Sequence, residues 1–266
     1  KFTCFDHRST YFWQDNLPTA LHPNRQQRVM PTSSDAKSPS IAVITGASRG
    51  IGLAVVQLLD ELGWEVYCCG RSKPEQLSWL AQCRNVQYLS TDLSTSEGCK
   101  AMAHWVQSSA VRVDMLVHNA GSFVSDSVLN APENQMENLM ALNVYSAYRL
   151  SRLLHTMLCK SPRPYVFTLC SVASLKAYPG GASYCMSKFA LLGLTKMLRA
   201  EWLNDGIAVS ALLPGAVFTD SWAGSPWPEE RLMPPNDVAE AILHAYQASP
   251  RTVFEEILLR PLQGDL

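Results

Sequence analysis

The chain has 266 residues, 47% of them apolar, and its formal net charge at pH 7 is −1. That length and composition suit one α/β domain with a large buried core. The near-neutral charge gives no electrostatic reason to expect nucleic acid or an anionic membrane as a partner, and no apolar run approaches the ~20 residues of a membrane span.

The first segment, residues 1–39, mixes Pro, Ser, Asn, Gln and Arg with scattered aromatic residues and has no sustained hydrophobic period. It also lacks the apolar stretch of a secretory signal. We therefore expect residues 1–39 to be an extension that is disordered or not native, with the native start near Met30. Residues 40–266 are expected to form the folded domain.

The domain begins with a strand, a glycine-rich turn and a helix. Residues 41–45 are a short β-branched apolar run typical of a buried parallel strand, and Gly46, Gly50 and Gly52 follow at once. Unpaired N–H groups at the start of the next helix suit a pyrophosphate, and the glycines allow the backbone to approach it. This pattern predicts a dinucleotide site.

Strands and helices alternate over the rest of the chain. Strands are predicted at 41–45, 64–70, 86–90, 113–118, 165–170, 207–213 and 253–259. Helices are predicted at about 51–62, 74–83, 95–108, 133–160, 182–204 and 235–248. Repeated β-α-β units indicate an α/β Rossmann fold, a doubly wound parallel sheet of about seven strands in one domain. Its ligands are expected beyond the carboxyl ends of the strands.

The end of the second predicted strand indicates which cofactor is preferred. It carries Arg71 and Ser72 where NAD sites place an acidic residue that binds the ribose 2′-hydroxyl. A guanidinium is well shaped for a phosphate, and Arg49 in the glycine turn adds a second cation. The sequence therefore predicts NADP(H) rather than NAD(H). The alternative is that Arg71 is a solvated surface cation.

Two further motifs complete a recognisable pattern. Tyr184 and Lys188 lie one turn apart on a predicted helix, where an ammonium favours the phenolate, and Ser171 ends a strand thirteen residues upstream. Together with Thr45-Gly46-x-x-x-Gly50-x-Gly52, this resembles the short-chain dehydrogenase/reductase family over about residues 40–259. The resemblance implies an NADPH-dependent carbonyl reductase that acts by direct hydride transfer and needs no metal.

The resemblance also assigns roles to individual residues. Tyr184 exchanges the proton, Ser171 orients the carbonyl, Lys188 supports the tyrosine and binds the nicotinamide ribose, and Asn143 holds a relay water. The cofactor contacts expected from sequence and resemblance are Gly46, Ser48, Arg49, Gly50, Ile51, Gly52, Arg71, Ser72, Asp92, Leu93, Asn119, Ala120, Gly121, Tyr184, Lys188, Pro214, Gly215, Val217 and Thr219. His118, where many family members carry Asn, is expected to be a satisfied strand-end residue.

The substrate pocket is less constrained. Residues 218–233 occupy the position of the family's variable substrate loop, and their Trp222, Trp227 and Met233 predict an apolar lid. The opposite wall is expected to comprise Ser122, Phe123, Ser174, Leu175 and Tyr178. This favours a carbonyl on an apolar or aromatic body. The alternative is that the tryptophans cover a neighbouring subunit or the base of their own loop.

Other functions remain open on the sequence. A 3-oxoacyl-thioester reductase would need a basic patch near the pocket, for which Arg163 and Arg231 are too few. A non-catalytic NADP(H) sensor would typically lack the tyrosine or lysine, and a scaffold that only oligomerises leaves the intact site unexplained. The resemblance implies a homodimer or homotetramer built on the two long helices. Eight cysteines without a CxxC pair predict reduced thiols in a cytoplasmic protein.

Overall fold

The computed structural model describes residues 38–222 and 224–266. The predicted extension therefore lies outside the described residues, except for its last two positions. Within the described part of the chain, no helix combines the length and apolar character needed to cross a bilayer. The seven cysteines of that part are all free thiols.

Seven strands form one sheet in which every neighbouring pair is parallel. They are β1 Ile41–Thr45, β2 Glu65–Gly70, β3 Val86–Ser90, β4 Met115–His118, β5 Tyr165–Leu169, β6 Ala208–Pro214 and β7 Glu256–Leu259. Their order is β3-β2-β1-β4-β5-β6-β7, so the winding reverses between β1 and β4. Such a reversal opens a crevice at the carboxyl ends of the strands. The predicted doubly wound sheet is confirmed.

Helices cover both faces of the sheet, which explains why β1 and β5 are buried at every position. The helices are α1 Gly50–Glu61, α2 Ser96–Ser109, α3 Gln135–Met140, α4 Ser146–Cys159, α5 Ala182–Glu201 and α6 Pro235–Gln247. Side chains of α1 and α6 share one core cluster with the sheet, while those of α2, α4 and α5 share the other.

One predicted helix, 74–83, is wrong. The structure has two short 3₁₀ helices, Pro74–Gln76 and Ser78–Gln82, separated by Leu77 with φ −109° and ψ 82°. Neither short helix contains a buried residue. A longer helix here would gain little packing to offset the cost of ordering it.

The helix predicted at 133–160 is interrupted. It comprises α3, a five-residue π-helix at Ala141–Tyr145, and α4. A π turn holds one more residue than an α turn and frequently marks a functional position. Here the π-helix carries Asn143, whose amide turns inward to the loop after β4 and to α5.

Candidate active site

The glycine turn after β1 is locked to the turn after β4. Gly46 and Gly50 have φ of +67° and +59°, and a Cβ on Gly52 would lie 2.4 Å from Asn119 Nδ2. Asn119 Nδ2 donates to the carbonyl of Gly46 at 2.8 Å, and the Thr45 hydroxyl accepts from the backbone N–H of Asn119 at 3.0 Å. Only glycine fits these positions, because two backbone segments meet there.

The N-terminus of α1 opens at this turn, and none of the described residues caps it with a side chain. Arg49 occupies the N-cap, no side chain caps the helix, and its first turn has no acidic residue. The free N–H groups and the helix dipole therefore favour an anion. Across the opening, the Arg49 guanidinium pairs with Asp220 at 3.1 Å, and both side chains are largely exposed. Such an exposed pair is weak.

A cleft of about 400 Å³ lies at the carboxyl ends of the strands. It is lined by most of the predicted residues, namely Gly46, Ser48, Arg49, Gly50, Ile51, Arg71, Leu93, Asn119, Ala120, Gly121, Ser122, Phe123, Ser171, Tyr184, Lys188, Pro214, Gly215, Val217, Thr219 and Trp222. It is also lined by Asp220 and Ser221 of the predicted substrate loop and by residues that are not predicted, which are Gly70, Thr91, Leu142, Leu169 and Cys170. Several of these end a strand or follow one directly, so the carboxyl-edge rule could have found them.

Three predicted cofactor residues act behind the cleft wall. Gly52 packs against Asn119 as described, and Ser72 accepts through its backbone carbonyl from the Tyr88 hydroxyl at 3.1 Å. Asp92 uses its carboxylate to accept from the backbone N–H of Ser94 at 2.9 Å, just ahead of α2. These contacts shape the ends of β2 and β3 from outside the cleft.

Five predicted pocket residues, Ser174, Leu175, Tyr178, Trp227 and Met233, also lie outside the cleft lining. Ser174 is buried beneath Ser171, whose backbone N–H it accepts at 3.3 Å, because the two serines form a reciprocal cap on a short 3₁₀ helix. Met233 belongs to the core instead of a lid, since its backbone pairs with Ala216 and Phe218. Tyr178 packs its ring against Gly181 outside the cleft lining. Partial burial, with Tyr184 nearby, raises the pKa of Tyr178.

The Tyr-x-x-x-Lys pair faces the cleft from α5. Lys188 is 7% exposed, and its ammonium donates to the Leu169 carbonyl at 2.6 Å. The same ammonium lies 5.7 Å from the centre of the Tyr184 ring. An ammonium has three donors, so this contact leaves Lys188 capacity toward the cleft. Phe123 packs edge-on against Tyr184 with ring centres 5.0 Å apart.

Ser171 enters the cleft at the end of β5. Its hydroxyl oxygen accepts from the backbone N–H of Ala173 at 3.1 Å and lies 3.5 Å from the Pro214 carbonyl. The neighbouring Cys170 thiol is buried, and burial raises its pKa, so it is held as the unreactive thiol. Ser171, two residues after β5, therefore presents a hydroxyl group to the cleft.

Asn143 binds three parts of the site together. Its amide oxygen accepts from the Ser122 backbone N–H at 2.8 Å, and its NH₂ group donates to the Ser122 carbonyl at 3.1 Å. The NH₂ group also donates to the Ser187 hydroxyl at 2.9 Å, which in turn donates to the Tyr184 carbonyl at 2.8 Å. A Cβ at Gly121 would meet Asn143 Oδ1 at 3.3 Å, so glycine lets the loop approach this amide closely.

The structure adds a residue that the sequence analysis missed. Asp126, in the loop after β4, is 8% exposed and accepts the Ser183 backbone N–H at 2.9 Å in the first turn of α5. Its second carboxylate oxygen is buried and has no partner among the described residues. A carboxylate at a helix N-terminus is favourable. No local signal predicts this cap, because the two residues are 57 positions apart.

His118 is a buried, neutral residue at the end of β4. Its Nε2 lies 2.8 Å from the Ser151 hydroxyl, within hydrogen-bonding distance. Burial disfavours the imidazolium and lowers the pKa of His118 to about 3. The ring does not line the cleft, in keeping with the predicted structural role.

Comparisons with known proteins agree with this architecture. Residues 40–228 match the family described as short chain dehydrogenase. The chain is 27% identical over 238 residues to a sepiapterin reductase of Chlorobaculum tepidum, covering 85% of this chain and 98% of that protein. It is 31% identical over 234 residues to a 3α-hydroxysteroid dehydrogenase of Mediterraneibacter gnavus, covering 82% and 94%. An alcohol dehydrogenase of Thermococcus sibiricus, solved with 5-hydroxy-NADP, superposes with a TM-score of 0.77 at 26% identity, covering 85% of this chain and 97% of that one. The chain belongs to the short-chain dehydrogenase family and is an oxidoreductase.

Proposed function

We propose that the protein interconverts a carbonyl and an alcohol, using NADP(H) in preference to NAD(H). The observation that carries this proposal is the shared cleft. Ser171, Tyr184 and Lys188 line it together with the glycine turn, so an acid–base group and a dinucleotide cradle face the same space.

The cradle fits a dinucleotide because Gly46, Gly50 and Gly52 leave room for a pyrophosphate at the uncapped start of α1. Arg71 lines the cleft at the end of β2, and within the described residues its guanidinium has no hydrogen bond or ion pair. It is therefore available for a ribose 2′-phosphate. The similar Thermococcus sibiricus enzyme was solved with an NADP derivative, which supports this choice.

A bound nicotinamide cofactor would supply the hydride for reduction or accept it in oxidation. Tyr184 gives the substrate oxygen its proton during reduction and takes that proton back during oxidation. Ser171 holds the same oxygen through its hydroxyl. The buried Lys188 holds its ammonium 5.7 Å from the centre of the Tyr184 ring, where it is placed to bind ribose hydroxyls. Asn143 fixes the loop at Ser122 and the backbone of α5 through Ser187.

The cleft favours a substrate with an apolar or aromatic body. Phe123 stands edge-on to Tyr184, and Trp222 contributes a second aromatic side chain to the lining. Both rings line the cleft, which also carries the charged side chains of Arg49, Arg71, Lys188 and Asp220. Rings in this position contribute burial and orient flat substrates.

The thioester-reductase alternative finds little support. Arg163 donates to the Ala248 carbonyl and stacks on Tyr246, so it is committed to the fold. Arg231 donates to the Gly264 and Asp265 carbonyls, which ties it to the C-terminal tail. Neither arginine lines the cleft, and a phosphopantetheine carrier would need cations at its mouth.

The direct experiment is to titrate the protein with NADPH and NADH by tryptophan fluorescence and then to assay NADPH oxidation with a carbonyl panel. The panel spans aromatic ketones, aliphatic aldehydes, diketones and a 3-oxoacyl thioester. We expect tighter binding of NADPH and turnover with an aromatic carbonyl. Tight NADPH binding with no turnover on any carbonyl would favour the sensor, and turnover on the thioester alone would favour the carrier-linked reductase.

The cofactor choice is tested by Arg71→Asp. Loss of one charge-assisted phosphate contact, worth about 1.5–3 kcal/mol, is expected to weaken NADPH binding by roughly 10- to 100-fold while NADH binding holds or improves. Lys73→Asp is the matched control, because Lys73 is an exposed cation two positions away that does not line the cleft. An unchanged NADPH/NADH ratio in Arg71→Asp would remove Arg71 as the phosphate ligand.

A further inference from the structure

A second cluster of reactive side chains lies outside the cleft, where α4 ends beside the turn between α5 and β6. His155 and Cys159 are one turn apart on α4, and Asp205 comes from that turn. One ligand atom from each side chain can be chosen so that all three lie within 4.8 Å of one another. None of the three lines the catalytic cleft. The predicted reductase mechanism needs no metal, and this cluster forms only in the fold, because Asp205 is 50 positions from His155.

The spacing of these atoms is close to that of a metal's ligand shell. His155 Nε2 lies 2.9 Å from Asp205 Oδ2 and 3.7 Å from Cys159 Sγ. A tetrahedral zinc ion with Zn–S near 2.3 Å and Zn–N near 2.0 Å separates its sulfur and nitrogen by roughly 3.5 Å. Cys159 Sγ also lies 3.9 Å from His155 Nδ1, and the three ligand atoms lie within 4.8 Å of one another, so the side chains must rotate to bring all three onto one ion.

The backbone and the packing hold two of the three side chains in place. The Trp202 ring packs against the His155 ring with centres 4.8 Å apart, and Trp202 is itself buried. The Asp205 backbone N–H donates to the Trp202 carbonyl at 3.2 Å, and Gly206 closes the turn with a φ of +72°. Trp202 thus packs against the imidazole and fixes the backbone turn that carries the carboxylate.

We propose that His155, Cys159 and Asp205 form a binding site for a divalent transition-metal ion of the zinc class. One thiolate, one imidazole and one carboxylate suit zinc, cobalt and cadmium, whereas magnesium and calcium prefer oxygen ligands alone. All three side chains are reachable from solvent, so a water completes the tetrahedron. The ion would clamp α4 to the start of β6, at the sheet edge opposite the cleft.

Cys159 provides a built-in reporter, because it is the exposed cysteine of the described residues, whereas Cys83 is half-buried and the others are buried. Alkylation by iodoacetamide is followed per residue by peptide mass spectrometry on the full chain, with and without Zn²⁺. At ten times the dissociation constant only about a tenth of the thiol is free, so Cys159 alkylation is expected to slow about ten-fold. Alkylation of Cys83 is expected to be unchanged.

Variants separate a three-ligand site from binding to the thiol alone. His155→Ala and Asp205→Asn are each expected to abolish most of the protection of Cys159 at the same Zn²⁺ concentration. His104→Ala, which removes an exposed histidine of α2, is the matched control and is expected to retain full protection. Full protection in both His155→Ala and Asp205→Asn, or none in the unaltered protein, would overturn the proposal.

Cobalt tests the geometry independently. Co²⁺ added to the unaltered protein is expected to give a thiolate-to-cobalt charge-transfer band and the visible absorption of a tetrahedral ion. Cys159→Ser is expected to lose the charge-transfer band, while Cys83→Ser keeps it. A spectrum typical of octahedral hydrated cobalt, with no thiolate band, would contradict the assigned site.

Discussion

The amino ends of the seven strands form one edge of the sheet and their carboxyl ends form the other. The polar groups at these two edges differ in what they bind. At the amino edge, the buried Asp114 carboxylate accepts from the Ile41 N–H at 2.8 Å, from the Arg112 side chain at 2.9 Å and from the Ser161 hydroxyl. Both carboxylate oxygens therefore bind protein groups. At the carboxyl edge, among the described residues, the α1 N-terminus has no side-chain cap and the Arg71 guanidinium has no hydrogen bond or ion pair.

This difference shows how one fold separates stability from function. The polar groups around Asp114 bind each other, so they contribute to the free energy of folding and have no free donor or acceptor for a ligand. Donors and cations left open at the carboxyl edge contribute little until a ligand binds. Substitutions at the two edges should therefore change different measurements.

The largest expected effect is a loss of turnover from a substitution at the carboxyl edge, without a change in stability. Tyr184→Phe removes the proposed proton donor and is expected to lower kcat by about 10²- to 10⁴-fold, the usual range for a general acid or base. The NADPH dissociation constant and the unfolding midpoint are expected to stay close to those of the unaltered protein. Steady-state assays and denaturant titration measure both, and near-normal turnover would exclude Tyr184 as the acid.

The next largest effect is a loss of unfolding free energy from a substitution at the amino edge, away from the cleft. Asp114→Ala leaves the partly buried Arg112 and the Ser161 hydroxyl without their acceptor and is expected to cost about 3 kcal/mol of unfolding free energy. Denaturant unfolding measures the loss, and the control Arg112→Ala is expected to cost less, because Asp114 keeps two donors. A Asp114→Ala protein of full stability with weakened NADPH binding would reverse the comparison.

His118, at the end of β4, makes the free energy of unfolding decrease as the solution becomes acidic. Because its pKa is about 3 when folded and near 6.5 when unfolded, the unfolded chain binds an extra proton between these values. Stability is therefore fully present above pH 6.5 and falls by up to about 1.4 kcal/mol per pH unit as the pH decreases through that window. His118→Asn is expected to flatten this part of the stability–pH curve. Parallel curves for the two proteins would show that His118 does not titrate on unfolding.

The smallest effect concerns the hydrogen bond between Asp126, in the loop after β4, and the first turn of α5. Asp126→Ala removes the cap on α5 and is expected to cost about 1 kcal/mol. Asp126→Asn is expected to cost less, because an amide oxygen can still accept from Ser183 and the buried charge is relieved. Chemical denaturation compares the two variants. Equal losses in both would indicate that the charge, and not the acceptor, stabilises the helix.

The sequence predicts the elements whose signal is local. The strands follow from apolar runs, the glycine turn from its spacing, and the Tyr184–Lys188 pair from one helical turn. The cap from Asp126 and the placement of Ser174 and Met233 depend on segments that meet only after folding. The π-helix is likewise not predicted, because the pattern over residues 133–160 is interpreted as one continuous helix.

The additional residue of the π turn has a consequence for length variation in this part of the chain. An α-helix turns by about 100° per residue, so deleting one residue from Ala141–Tyr145 would let α3 and α4 wind as a single straight rod. Every side chain on α3 would then rotate by about a quarter turn relative to α4. A deletion of a single codon would thus leave the helix longer and better formed, yet would carry the Asn143 amide away from Ser122 and Ser187.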